Sequence, residues 1–188
     1  MELMKTFEDD IKKYRDAEHI EIELRLGKIT PSGFNTDVGP HVFGLVMRGL
    51  DAYNGWESTD VADAEVYYWG SGVRCVYTDE ACTTERKNPI VKKNLKLDAL
   101  DVRLGISQEI PVEMPTDEAT RCVRRQRKSY LRKNVRIDLS MVTGAPVDKD
   151  SESVVTYQVE LEILSAKTDQ EIFSALYKVH DVLKLINP

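Results

Sequence analysis

The sequence predicts a mainly β, α+β chain: a closed antiparallel eight-stranded barrel, in effect a tunnel, with flanking N- and C-terminal helices. Three observations predict it. Many short segments alternate charged and apolar residues with period two, which sorts side chains onto opposite faces of a strand. Two stretches near the chain ends instead space their apolar residues as amphipathic helices do. Finally, the charged strand faces hold nearly pure Glu, Asp and Arg at i, i+2 spacing, whereas a solvated face normally mixes Ser, Thr, Lys and Asn. Such faces suit an enclosed cavity, and the aliphatic faces then turn outward and need helices to cover them.

The elements follow in order. Residues 4–14 read as a helix with Phe7, Ile11 and Tyr14 on one stripe and Thr6 as its cap. Residues 19–29 form the first acidic strand, with Glu21, Glu23 and Arg25 on one face. Residues 41–54 space Val42, Leu45, Val46 and Leu50 as a helix. Residues 64–69 and 72–78 read as strands joined by a hairpin turn at Gly70-Ser71, and residues 90–97 as a lysine-rich strand. Residues 100–112 alternate well and are ended by Pro111 and Pro115. Residues 121–131 are strand-compatible but polar on both faces, and 135–143 set Arg136, Asp138 and Ser140 against Val135, Ile137, Leu139 and Met141. A polar turn over 144–151 leads to the second acidic strand, 154–164, as an antiparallel hairpin. Thr168 and Glu171 form a capping box for a last helix striped by Ile172, Leu176, Val179, Leu183 and Ile186. With no repeats and no linker, residues 1–188 read as a single domain.

Composition narrows the function. Charged residues make up 31% and hydrophobic ones 41%, with a formal net charge of −6, which argues against a general electrostatic binder of nucleic acid. Positive charge is local: half of residues 121–136 are Arg or Lys. Cys75, Cys82 and Cys122 lack CxxC spacing, and His19, His41 and His180 are scattered, so neither a disulfide framework nor a zinc site is indicated. The amino terminus does not read as a secretory signal and no apolar run reaches membrane length, so an intracellular soluble protein is expected, in nucleus or cytoplasm, with no membrane partner.

The chemistry lies in the two acidic strands. Glu21 and Glu23 near one end of the sequence, and Glu160 and Glu162 near the other, present four carboxylates. Brought together they repel unless a cation sits between them, and clustered oxygen ligands suit a hard divalent ion such as Mg²⁺ or Mn²⁺. Arginines on neighbouring strands suit phosphate, because a planar guanidinium bonds two phosphate oxygens at once. Acids for a metal and guanidiniums for phosphate together point to metal-assisted phosphate hydrolysis.

These residues carry a resemblance. Glu21-Ile-Glu23-Leu-Arg25-Leu-Gly27 and Val159-Glu160-Leu-Glu162 resemble the paired glutamate motifs of the triphosphate tunnel metalloenzymes. More narrowly, the chain is similar to the metal-dependent RNA 5′-triphosphatases of fungi, protozoa and large DNA viruses, which perform the first step of mRNA capping. The resemblance runs through Asp101-Val-Arg103…Glu109, Arg125-Gln-Arg127-Lys-Ser-Tyr130 and Arg136-Ile-Asp138-Leu-Ser140. Its small size resembles that of the minimal viral members. Two departures stand out: Gln158 occupies a position that often carries a third glutamate, and Val123 one that would be cationic.

The resemblance implies roles. Glu21, Glu23 and Glu162 would hold Mg²⁺ or Mn²⁺, and Glu109 and Glu160 would position the attacking water, Glu109 being favoured. Arg25, Arg74, Arg103 and Arg125 would contact phosphate. Arg127, Arg136 and Lys92 would complete that wall, with Lys93 nearly as good a candidate as Lys92. Asp101 and Asp138 would hold arginines in place. Trp56 and Trp69 are candidates for stacking on a base, though aromatics in a β-rich chain more often pack the core.

The implied activity is removal of the γ-phosphate from triphosphate-ended nascent RNA, leaving a 5′-diphosphate, with Mn-dependent hydrolysis of free NTPs as a side activity. The chain has no Lys-x-Asp-Gly motif, so a guanylyltransferase would be a separate partner. Two other readings remain: a tunnel hydrolase of inorganic or small organic triphosphates, and a non-enzymatic RNA-binding β-barrel, which leaves both acidic strands unexplained.

Overall fold

Hydrogen bonding between the first and the last long strand closes the sheet into a barrel. The computed structural model describes residues 2–144 and 154–186. Helix α1 (Glu2–Tyr14) leads into β1 (Ile20–Thr30) and the short β2 (Gly33–Asn35), and α2 (Gly39–Asp51) follows. Then come β3 (Ser58–Tyr68), β4 (Val73–Tyr77), β5 (Cys82–Leu95) and β6 (Asp101–Pro111). The last elements are β7 (Arg121–Arg132), β8 (Val135–Gly144), β9 (Val155–Ile163) and α3 (Asp169–Lys184). The strands run in the order β2-β1-β6-β5-β4-β3-β7-β8-β9, and β9 pairs back onto β1. Among the described residues, eight antiparallel strands thus form the expected barrel, while β2 is a ninth that pairs with β1 alone.

The aliphatic faces do turn outward. Ile22, Leu24 and Leu26 of β1, Val102, Leu104 and Ile106 of β6, and Leu161 of β9 share one core with the helices. Helix α1 contributes Leu3, Phe7 and Ile11, α2 contributes Phe43, Val46 and Leu50, and α3 contributes Ile172, Leu176, Val179 and Val182. Each such side chain fully buried is worth about 1.5–3 kcal/mol. Polar barrel faces can therefore look inward because this core lies outside the barrel, against the helices.

Several boundaries differ from the sequence reading, for physical reasons. Thr6 does not cap α1: the helix begins at Glu2, and the Thr6 hydroxyl donates to the Glu2 carbonyl at 3.0 Å. Strand β3 starts six residues before Ala64, because Ser58–Asp63, though largely exposed, finds a full antiparallel partner in β7. Strand β5 starts eight residues before Ile90 and runs through Pro89, where the register with β6 shifts. Such a bulge is where a strand tolerates proline. The turn between β3 and β4 uses Gly72 at φ +78°, a left-handed conformation that glycine adopts without cost. Of the turn expected over 144–151, Gly144 closes β8 and the rest lies outside the described residues.

The aromatic residues lock the outside of the barrel. Tyr130 is buried, its hydroxyl donates to Asp51 at 2.7 Å, and its ring lies 5.4 Å from that of Trp56. The Trp56 indole donates to the Leu50 carbonyl at 2.8 Å, and that of Trp69 to the Asp117 carbonyl at 2.9 Å. Neither tryptophan faces the barrel interior, so neither is a base platform there. The three cysteines are free, with the sulfurs of Cys75 and Cys82 3.0 Å apart. Among the described residues, no helix is long and apolar enough to cross a membrane.

Helix α3 begins at the expected capping box. The Thr168 hydroxyl accepts from the Glu171 amide at 3.2 Å, and the Glu171 carboxylate accepts from the Thr168 amide at 2.9 Å. Thr168→Ala is expected to cost about 1 kcal/mol of stability in urea unfolding. A loss below about 0.3 kcal/mol would show that packing alone sets the start of α3.

Candidate active site

Register decides which side chains share the interior. In β1 the odd residues Glu21, Glu23 and Arg25 point in, and in β9 the even residues Glu160 and Glu162 do. Glu23 lies opposite Glu162, and Arg25 opposite Glu160. On the far side of β1, β6 adds Glu109, which lies opposite Lys87 of β5. Strands β7 and β8 supply Arg125, Arg127 and Arg136, and β4 supplies Arg74. Together they line a cavity of about 310 Å³.

Inside, acids and bases neutralise one another in a connected network. Arg25 lies 2.9 Å from Glu23, and its Nε is 2.8 Å from a Glu160 oxygen without the alignment of a hydrogen bond. The Lys87 ammonium contacts Glu21, reaches Glu109 at 3.0 Å and stands 3.7 Å from Glu23. Arg74 bridges Glu85 at 2.6 Å and Glu109 at 2.7 Å. Asp138, only 3% exposed, receives Arg127 at 3.0 Å, Arg136 at 3.1 Å and the Ser129 hydroxyl at 2.6 Å. Arg136 also contacts Glu162.

Neutralisation is uneven. Burial pushes the Glu23 carboxyl up to about 7 despite Arg25, with Glu160 and Glu21 adding to the rise. Burial likewise raises Glu109 against the pull of Arg74, and Glu162 against that of Arg136. Glu21 is also desolvated, but Lys87 and Arg74 more than offset this and hold it below the usual carboxylate range. Burial, more than any want of neighbouring cations, therefore makes Glu23, Glu109 and Glu162 costly to ionise. Arg125 is the reverse case. Among the described residues it has no acid within ion-pair distance, and its buried Nε has no hydrogen-bond partner. Burial, with Arg127 and Arg74 nearby, pushes it down to about 10. A chamber with desolvated glutamates on one wall and an arginine without an acid partner on the other suits a divalent ion beside a polyphosphate.

Not every expected residue reaches this chamber. Arg103 lies at the barrel end, where its Nε donates to Asn94 at 2.8 Å and its guanidinium covers the Phe34 ring at 4.6 Å. Lys92 lies opposite Gly105, in the same row as Glu23, but is exposed and outside the cavity lining. Lys93 points the other way, to Asp10 of α1 at 2.9 Å. Among the described residues Asp101 pairs with no arginine. It is buried, and accepts the backbone amides of Ile29 at 2.7 Å and Leu97 at 3.1 Å. Gln158 lines the chamber, 3.5 Å from the Thr36 hydroxyl. Gly27 is required by close approach: a Cβ there would stand 2.1 Å from the Asn35 carbonyl oxygen, where the segment after β1 crosses back.

Sequence reading missed Lys87, Glu85, Tyr68 and Arg121 as lining or supporting residues. The signal for two of them was present, since Glu85-Arg-Lys87 alternates with period two. Pro89 concealed it by appearing to start a new element.

The donor set fits a hard divalent cation. All five glutamates lining the cavity offer oxygen alone, the ligand type such ions prefer. Among the described residues no three acid, histidine or cysteine side chains already form a metal cage. Lys87, Arg25 and Arg136 occupy the positions beside Glu21, Glu23 and Glu162.

A closed antiparallel barrel with inward acids and guanidiniums defines a polyphosphate-handling tunnel protein. A family model described as mRNA capping enzyme, beta chain, matches residues 74–182, more than half of the chain. The chain belongs to this family, whose members are metal-dependent tunnel enzymes. Solved structures share its fold. The Pct1 RNA triphosphatase of S. pombe superposes with a TM-score of 0.74 at 18% identity, over 96% of this chain and 84% of that one. The triphosphatase of the Mimivirus capping enzyme gives 0.68 at 16% identity, over 97% and 95%. Pct1 solved with the Spt5 CTD gives 0.75 at 17% identity, over 99% and 88%. No curated protein matches the chain in sequence.

Proposed function

We propose that residues 1–188 act as one catalytic domain, a hydrolase that removes the γ-phosphate from triphosphate-ended RNA for mRNA capping. One observation carries the reading: five glutamates face a set of guanidiniums inside a closed barrel, in a chain of the capping family. The barrel shields the reacting groups from bulk water, which strengthens each electrostatic contact.

Arg74, Arg125 and Arg127 grip the non-bridging oxygens of the phosphate chain, and Arg136 contributes from β8. Each is pre-oriented by its strand, and Arg74, Arg127 and Arg136 also by the acids beside them. Glu21, Glu23 and Glu162 would hold Mg²⁺ or Mn²⁺, which supplies Lewis-acid withdrawal of charge from the γ-phosphate. Glu109, with Glu160 as the second candidate, orients a water molecule and accepts its proton. The water oxygen bonds to the γ-phosphorus as the bond to the β–γ bridging oxygen breaks. That oxygen stays on the β-phosphate, and inorganic phosphate leaves. Phosphoryl transfer of this kind depends on positioning and charge neutralisation more than on covalent help. Mn-dependent hydrolysis of free NTPs belongs to the same site, and a separate guanylyltransferase would take the diphosphate end.

Release of labelled phosphate from γ-³²P-triphosphate RNA tests this. Release is expected with Mg²⁺ or Mn²⁺ and should stop when EDTA removes the ion. Release that is indifferent to EDTA, or none with either ion, would contradict the proposal.

A further inference from the structure

The inward positions along β3 and β7 change character toward the barrel rim. Their register runs Ala62 opposite Arg127, Ala64 opposite Arg125, Val66 opposite Val123, and last Tyr68 opposite Arg121. Tyr68 ends β3 and Arg121 begins β7, so this pair sits at the barrel edge, where Arg121 is exposed. Between the rim and the deep arginines lies an apolar wall, in which Tyr68 packs with Val76 and Val142 against Ala64, Val66 and Val123. The Arg121 guanidinium lies 5.7 Å from the centre of the Tyr68 ring.

A bare polyphosphate gains nothing from valines and a tyrosine, since every surface it offers is anionic oxygen. A nucleoside offers a flat apolar base, which stacks on aromatic rings and guanidinium planes without needing a particular sequence. The order of groups in a triphosphate-ended nucleotide is terminal phosphate, inner phosphates, sugar and base. The chamber offers both kinds of surface side by side: Tyr68 lies opposite Arg74 of β4, a phosphate-gripping arginine held by Glu109, while the apolar wall and Arg121 flank the ring on its other sides.

We propose that Tyr68 and Arg121 form a subsite for the first nucleoside of the RNA, distinguishing an RNA 5′ end from free inorganic triphosphate. The inference rests on the proposed function and names the substrate class for that site. Arg125 contacts the inner phosphates, the Tyr68 ring stacks on the base, and Arg121 closes over it or meets the next phosphate of the chain. The two tryptophans cannot take this part, because both lie outside the barrel with their indole N–H groups committed to backbone carbonyls.

The test compares kcat/KM for triphosphate-ended RNA with kcat/KM for tripolyphosphate, under one divalent ion. In Tyr68→Leu, which keeps apolar bulk without a π face, the ratio of RNA to tripolyphosphate is expected to fall about tenfold. Tyr68→Trp should restore the ratio, a recovery that a role in barrel packing alone would not give. Arg121→Gln, an exposed change that leaves the core intact, should move the ratio in the same direction. A ratio unmoved in both Tyr68→Leu and Arg121→Gln would overturn the subsite while leaving the triphosphatase reading standing. A parent chain that hydrolyses tripolyphosphate but not RNA ends would overturn the proposed function itself, and the subsite with it.

Discussion

Replacing Glu23 or Glu162 by glutamine is expected to lower γ-phosphate release at least about a hundredfold while the barrel stays folded. The two residues face each other across β1 and β9, so they join segments almost 140 residues apart at one point. Glutamine keeps the shape and one oxygen but removes the charge that would hold a divalent ion. Folding should tolerate the change. Glu23 is buried beside Glu21 and Glu160, and when it is neutralised Arg25 keeps Glu160 as a partner. Stopped-time phosphate release and thermal unfolding on the same samples separate the two effects. Activity within about threefold of the parent in both variants would remove these residues from the chemistry.

Leu176→Ala is expected to destabilise the chain by about 2–5 kcal/mol. Leu176 is 0% exposed in the layer between α3 and the outward faces of the barrel. Truncating it leaves a void among side chains that have no other cover, since the barrel interior is polar and cannot collapse onto them. Phe173, on the exposed face of α3 and stacked on Tyr177, provides the contrast. Phe173→Ala should cost less than about 1 kcal/mol. Urea unfolding of both variants gives the comparison. A similar small loss in each would mean that the helix layer does not hold the barrel shut.

The sequence showed much of this architecture because inverted polarity is visible at period two. Faces rich in Glu, Asp and Arg in β1, β8 and β9 marked the interior, and the stripes of α1 and α3 marked what covers the outside. Legibility failed where another influence outweighed the pattern. Proline at 89 interrupts β5 in sequence but only bulges it in space, so Lys87 and Glu85 went unseen. Arg103 has the correct face in β6 but sits too far along the barrel, where β2 and Phe34 capture it, and β2 is only three residues long. Asp101 shows the same limit. An inward acid next to cations in sequence found backbone amides instead, because the barrel end left the N–H groups of Ile29 and Leu97 in need of an acceptor. Tyr68 could not be distinguished from core tyrosines, since only the register between β3 and β7 places it at the rim.

The central claim is that carboxylates from β1 and β9 share one divalent ion opposite the guanidiniums. Anomalous diffraction from crystals of the chain grown with Mn²⁺ tests it most directly. The expected result is an anomalous peak bonded to Glu21, Glu23 and Glu162, with Lys87 and Arg136 drawn back from them. A peak outside the barrel, or no peak at saturating Mn²⁺ with Lys87 and Arg136 still paired to Glu21 and Glu162, would contradict it.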